Sequence, residues 1–230
     1  MSTAVQCVLF DLDGTLADSA PDLAAALNRL RAAEGLAPVD AQALRHYSSS
    51  GARGLLLAGM QVTNEHPRYV EFRDAFLAHY ADVLANDTRL FEGIAAMLDA
   101  LEARGLRWGV VTNKAVRYTG PVTAALALVE RAAVIVSGDT TPHAKPHPAP
   151  LLHAAEALAI APAQCVYVGD DLRDIDAGRA AGMLTLVARW GYMGVDAEPD
   201  QWPADGWLDT PGDLIAWLDA RAARRATIAR

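Results

Sequence analysis

Cysteine, aromatic residues and long apolar runs are all scarce in this chain, and acidic residues outnumber basic ones. Cys7 and Cys165 are the only cysteines. Both sit in apolar runs, where two small buried side chains are a simpler reading than a disulfide framework. No apolar run approaches the roughly 20 residues that a membrane helix needs, and no charged segment precedes one as in a secretory leader. A cytoplasmic protein without a membrane partner is therefore expected. Aromatic residues make up 7% of the chain against a hydrophobic fraction of 52%. Ala and Leu supply most of that fraction, which suits helices packed on a sheet. A formal net charge of -8 repels nucleic-acid backbones, so nucleic acid is not an expected partner, and an anionic ligand would need a local positive site. The one basic cluster, Arg221, Arg224 and Arg225, has helical spacing and reads as the solvated end of a helix.

What is present is an alternation. Residues 5–10 are nearly all apolar and stop abruptly at Asp11-Leu12-Asp13-Gly14, the pattern of a strand buried on both faces. Similar runs recur at 108–111, 134–136, 165–168 and 184–188. Helical patterns separate them at 94–104, closed by Gly105, then at 118–128, 150–158 and 175–181, closed by Gly182. Strands alternating with helices of this length imply right-handed crossovers and a mostly parallel sheet with both faces covered, a doubly wound α/β fold. Residues 17–83 break the alternation. They offer helices at 21–34, 41–47, after Gly51 and at 67–84, with no convincing strand, and read as an all-helical insertion after the first strand. Ser19 is placed to cap the first of these helices, with Pro21 early in it. Residues 1–16 and 84–230 are assigned to the α/β core and 17–83 to the insertion.

In open α/β sheets ligands bind beyond the carboxyl ends of the strands. Four polar clusters fall there: Asp11 with Asp13, Thr112-Asn113-Lys114, Lys145-Pro146, and Asp170-Asp171 with Asp174. Together they supply carboxylates, a hydroxyl, an amide and an ammonium, the set that a divalent ion and a phosphate would require. Magnesium takes hard oxygen ligands and keeps several waters, so a few carboxylates from separate loops suffice, with Asp11 and Asp170 the natural pair. Lys145, the Thr112 hydroxyl and backbone amides could offset the charge of a phosphate monoester. Each cluster alone has a plainer reading. Asp13-Gly14 could be a turn, Thr112 and Asn113 a helix cap, Lys145 a surface lysine, and the last three aspartates favourable first-turn charges. Packing alone, however, gives no reason for four independent strand ends each to carry a group that one reaction needs.

Asp11-Leu12-Asp13-Gly14-Thr15, Val111-Thr112-Asn113, Lys145-Pro146 and Gly169-Asp170-Asp171 resemble, in order, the four signatures of the haloacid dehalogenase superfamily. Ser19-Ala20-Pro21-Asp22, Ser50-Gly51-Ala52-Arg53 and the run 169–174 resemble its phosphoglycolate phosphatase-like group, and bacterial N-acetylmuramic acid 6-phosphate phosphatases share them closely. The resemblance implies a Rossmannoid core with a helical cap, magnesium, and a small phosphorylated, carboxylate-bearing metabolite as substrate. It makes Asp11 the nucleophile and a metal ligand, and Asp13 the general acid and base that also binds metal through its carbonyl. Asp170 becomes a direct ligand and Asp174 a ligand through water. Thr112, Asn113 and Lys145 hold the phosphoryl group, and Arg53 of the cap meets the substrate, since a guanidinium suits a carboxylate. Asp171 stands where many relatives have serine, so its role is open.

The attack of Asp11 on phosphorus would split one hard displacement into two easier ones. It brings anion toward anion, which a cation and Lys145 must offset. The crowded anionic setting of Asp13 would help to keep it protonated for the first step. A dehalogenase of this superfamily would lack the second aspartate, and Asp13 argues against that activity. A sugar phosphomutase, which uses the same core, and a non-enzymatic phospho-accepting module remain as alternatives. Monomer and homodimer are both open.

Overall fold

The computed structural model describes residues 4–228, with side chains as far as Arg224. Six strands form one wholly parallel sheet: β1 (Cys7–Phe10), β4 (Arg107–Val111), β5 (Ile135–Val136), β6 (Cys165–Gly169), β7 (Leu184–Ala188) and β8 (Gly206–Leu208), in the spatial order β5-β4-β1-β6-β7-β8. A separate two-stranded antiparallel ribbon joins β2 (Ala17–Asp18) to β3 (Arg89–Leu90). β1 lies at the centre of the sheet, and its period of two sorts its side chains between the faces. Val8 and Phe10 enter one core cluster with Ile94 and Leu98, while Cys7 and Leu9 enter the other with Leu151 and Ala177. Burial on both faces explains why the run is apolar throughout.

The helices that cover these faces are α5 (Ile94–Ala103), α6 (Val116–Ala125), α7 (Ala149–Ala157), α8 (Leu172–Ala180) and α9 (Asp213–Ile228). Between β2 and β3 the chain forms α1 (Ala20–Ala33), α2 (Ala41–Leu44), a 3₁₀ segment (Arg45–Ser50), α3 (Gly51–Met60) and α4 (Tyr69–Val83). These helices bury a cluster of their own, including Leu27, Leu55, Leu56, Phe72 and Phe76, which reaches Tyr118 of α6. Among the described residues no helix is long and apolar enough to cross a membrane.

Several details differ from the sequence expectation. Ser19 does not cap α1 with its side chain. Its hydroxyl donates to Asp13 Oδ1 instead, and the Tyr192 hydroxyl accepts the Ser19 and Ala20 N–H groups at 2.7 and 2.9 Å. Helix α8 begins three residues earlier than its apolar pattern, because Asp171 caps it in a capping box with Asp174. β8 was not anticipated: it is three residues long and its central Trp207 is exposed. Arg224 is exposed on α9, and the Arg225 side chain lies outside the described residues.

Candidate active site

Asp11 and Asp13 follow the central strand on a turn whose shape is set by its neighbours. Leu12 and Leu16 are buried in the core, which leaves the two aspartates to face the cavity above the sheet. Gly14 adopts φ 87°, and a Cβ there would stand 2.2 Å from Asp170 Oδ2. The turn therefore demands glycine for its conformation and for the close approach of the Asp170 carboxylate.

Asp11, Asp170 and Asp174 offer oxygens that lie within 4.8 Å of one another. Lys145 stands among them, its ammonium 2.9 Å from Asp11 Oδ1 and 2.7 Å from Asp174 Oδ1, and it also donates to the Tyr167 hydroxyl at 2.7 Å. Burial penalises the lysine's charge, but the two carboxylates outweigh that and hold it above its ordinary pKa. The reciprocal strain falls on the acids. Burial, helped by Asp174 and Asp13, pushes Asp11 up to about 6 despite the pull of Lys145. Asp170, 1% exposed, is raised well above its ordinary value by burial and by Asp11 and Asp174, even though Tyr192 N–H and the Thr15 hydroxyl donate to it at 2.8 and 2.9 Å. Three carboxylates thus face one ammonium, a charge imbalance that a divalent cation would remove, and every donor is a hard oxygen. The residues fit such an ion. Asp174 is the most committed of the three, since its other oxygen accepts the Asp171 N–H at 3.1 Å.

The second strand end, after β4, carries Thr112, whose hydroxyl accepts the Lys114 N–H at 3.2 Å and lines the cavity. Asn113, expected to touch the phosphoryl group, is used differently. Its amide donates to the Lys145 carbonyl at 3.0 Å and accepts the Lys145 N–H at 2.9 Å, so it fixes the loop that carries the lysine. Asp13 also differs from expectation. Its nearest charged partner is the Lys114 ammonium, at 2.8 and 2.9 Å from its two oxygens, so its setting is not simply anionic. Lys114 in turn lies 4.9 Å from the centre of the Tyr80 ring on α4.

A cavity of about 340 Å³ opens between the sheet and the helical segment. It is bounded by the strand-end residues on one side and by Ser48, Ser49, Phe76 and Tyr80 on the other. Arg53, expected to meet the substrate, is exposed on α3 and is not among the residues that line the cavity, although its neighbours Gly51 and Ala52 are. Arg117 and Arg173 line it instead. The open question of Asp171 is also answered in part. Besides capping α8, its carboxylate is gripped by Arg173 at 2.7 and 2.8 Å and accepts the Ser49 hydroxyl, while Arg173 donates to the Ser49 carbonyl at 2.6 Å. These bonds outweigh burial and hold Asp171 below the usual carboxylate range. Asp171 and Arg173 thus clasp the helical segment to the core. No spacing in the sequence indicated that pair, nor the one between Lys114 and Asp13. Trp190 and Tyr192, which follow β7, also reach the site: Trp190 donates to the Thr15 carbonyl at 2.9 Å, and the Tyr192 N–H donates to Asp170.

A parallel sheet with an aspartate pair on its central strand and a carboxylate-and-lysine cluster on the loops beside it defines an α/β phosphohydrolase core. The chain belongs to the haloacid dehalogenase-like hydrolase family, whose model matches residues 8–188. It is 43% identical over 215 residues to an N-acetylmuramic acid 6-phosphate phosphatase of Pseudomonas aeruginosa, covering 94% of this chain and 95% of the relative. It is 42% identical over 215 residues to a phosphoglycolate phosphatase of Xanthomonas campestris, covering 92% and 97%. A crystal structure named as a predicted phosphoglycolate phosphatase from Haemophilus somnus superposes with a TM-score of 0.79 at 26% identity, covering 94% of this chain and 99% of the other. The protein is a phosphoric monoester hydrolase; its relatives named above are phosphatases of small phosphorylated compounds, in a family whose phosphatases are generally metal-dependent.

Proposed function

We propose that this enzyme hydrolyses a carboxylate-bearing phosphorylated metabolite in the cytoplasm by way of a phosphorylated Asp11. One observation carries the reading: Asp11 ends the central strand, faces the cavity, and holds one oxygen 2.9 Å from the Lys145 ammonium. In the first step an Asp11 carboxylate oxygen forms a bond to phosphorus while the ester P–O bond breaks. Asp13 gives a proton to the leaving oxygen. In the second, Asp13 takes a proton from a water molecule whose oxygen bonds to phosphorus, and the Asp11–phosphorus link breaks to release inorganic phosphate. Lys114 holds Asp13 as a hydrogen-bond acceptor, which suits the second step. The first requires Asp13 to leave Lys114 as the leaving oxygen arrives. Lys145 and the Thr112 hydroxyl hold the phosphoryl oxygens. Asp11, Asp170 and the Asp13 carbonyl would hold magnesium directly, with Asp174 engaged through water. When bound, the ion offsets the charge of the phosphoryl group and of the carboxylates. Residues 17–83 serve as a cap that closes the cavity over the strand ends and takes part in selecting the remainder of the substrate.

Phosphoglycolate is the simplest substrate of this type. A specific observation favours a larger one, N-acetylmuramic acid 6-phosphate. The cavity's volume of about 340 Å³ falls among pockets built for ligands well above the size of a two-carbon acid, roughly 300–1,000 Å³. Phosphate release should be followed with magnesium on both compounds, beside an Asp11→Asn control. Turnover of the sugar at a higher kcat/KM than phosphoglycolate is expected, together with loss of activity in the control. Unchanged activity in Asp11→Asn would overturn the mechanism, and the reverse preference would restore the smaller substrate.

A further inference from the structure

Four cations line the cavity: Lys114, Lys145, Arg173 and Arg117. The first three are committed, Lys114 to Asp13, Lys145 to Asp11 and Asp174, and Arg173 to Asp171. Of these four cations Arg117 alone has no ion pair, and it stands exposed at the edge of the cavity. Its guanidinium lies 4.6 Å from the centre of the Tyr118 ring, and that ring lies 5.4 Å from the Tyr80 ring at an interplanar angle of 54°. The Tyr118 hydroxyl donates to the Leu77 carbonyl of α4 at 3.3 Å. Guanidinium and two rings therefore form one continuous wall running from the core into the helical segment.

Tyr80 adds an independent observation. It is 2% exposed and lines the same cavity; no hydrogen bond of good geometry reaches its hydroxyl, whose cationic neighbour is Lys114, an ammonium already held by Asp13. A buried hydroxyl so weakly served in a native protein calls for an explanation, such as a ligand oxygen that supplies a better partner. The charges around the cavity say what kind of ligand. A substrate with a carboxylate distant from its phosphoryl group would meet Asp11, Asp13 and Asp171 on the core side, and needs an uncommitted cation elsewhere. Arg117 is that cation, and its planar fork matches a carboxylate in two-point contact.

We propose that Arg117 receives the substrate's carboxylate and that the Tyr80 hydroxyl bonds a neighbouring oxygen of the same molecule, the two forming the subsite that selects the substrate beyond its phosphate. The assignment rests on the phosphatase reading above and goes further by naming the selecting residues.

Two probes isolate the carboxylate. N-acetylmuramate 6-phosphate and N-acetylglucosamine 6-phosphate share ring, acetamido group and phosphate, and differ by the lactyl acid. Affinities are measured by calorimetry in the inactive Asp11→Asn background, and kcat/KM in the otherwise native enzyme. Arg117→Ala should weaken the carboxylate-bearing sugar roughly ten-fold or more, the worth of one charge-assisted contact, with a far smaller loss on the analogue. Arg117→Lys should fall between. Tyr80→Phe should weaken both sugars several-fold, and Arg53→Ala should change neither. Equal losses on the two sugars in Arg117→Ala, a selective loss in Arg53→Ala, or equal affinity of the parent protein for both probes would overturn the assignment. Absence of phosphate release from every compound would instead sink the phosphatase reading, and the binding comparison would still decide the subsite.

Discussion

The Lys114 ammonium grips both carboxylate oxygens of Asp13, one at 2.8 Å and the other at 2.9 Å. The residue proposed to move protons is thus held by a cation whose other neighbour, Tyr80, belongs to the helical segment. Proton transfer by a well-placed side chain is worth roughly 10²- to 10⁴-fold in rate, and its efficiency depends on position. Lys114→Met is expected to lower kcat about 10- to 100-fold with little change in KM, as read by phosphate release. A variant with native kcat would remove Lys114 from this role.

Asp11 makes a prediction about stability in the absence of metal. Its pKa is raised from 3.8 to about 6 in the folded protein, net of the attraction of Lys145. A raised carboxyl favours folding while it is protonated. That contribution is complete below about pH 4, fades as pH rises to about 6, and is gone above it. At pH 8 the ionised Asp11 therefore weakens the metal-free fold, and Asp11→Asn should raise Tm by several degrees, with a smaller gain at pH 5. Calorimetry in EDTA checks both values, and an equal gain at the two would contradict the assignment.

The same titration sets the pH dependence of metal binding. A cation must displace the proton from Asp11 below about pH 6, and that of Asp170, whose carboxyl is also raised, so apparent affinity should fall at least ten-fold per unit under that value. Magnesium should raise Tm more at pH 7.5 than at pH 5, measured against EDTA. The same rise at both would take Asp11 out of the ligand set.

Asp171 serves two purposes that one substitution separates. Serine is also a good helix cap, so Asp171→Ser should keep stability within about 0.5 kcal/mol while breaking the ion pair with Arg173 and the bond from Ser49. Its expected effect is a higher KM with an almost native Tm. Asp171→Ala loses the cap as well, and should lower Tm by about 2–4 °C for a cap worth about 1 kcal/mol. If both variants melt alike and keep native KM, the clasp has no part in substrate binding.

The parallel sheet was legible because burial on both faces forces unbroken apolar runs. Cys7 to Phe10 could hardly be read otherwise, since each side chain meets one core or the other. β8 was not legible, for its three residues carry no such signal and it is held by pairing with β7. Among the site residues, Asp11, Asp170 and Lys145 could be placed together because each follows or adjoins a strand end. Lys114 was visible as a neighbour of Thr112, but its bond to Asp13 spans 101 positions, which no local pattern encodes. Arg53 and Arg117 have the same chemistry in the sequence. Both are exposed, and only the fold separates them, by placing Arg117 and not Arg53 among the residues that line the cavity.

Asp18 and Arg89 face each other across the β2–β3 ribbon. The chain therefore leaves the sheet domain and returns to it at a single point in space, however much sequence lies between. For the sheet, the four helices in that interval are a side branch: exchanging them for another unit whose ends meet at the same spacing would leave every strand in register. Such an exchange would leave Arg117 on α6 and the phosphoryl-handling residues in place while removing Tyr80, so a chimera joined at these two residues would show how selection is divided between the two parts of one polypeptide.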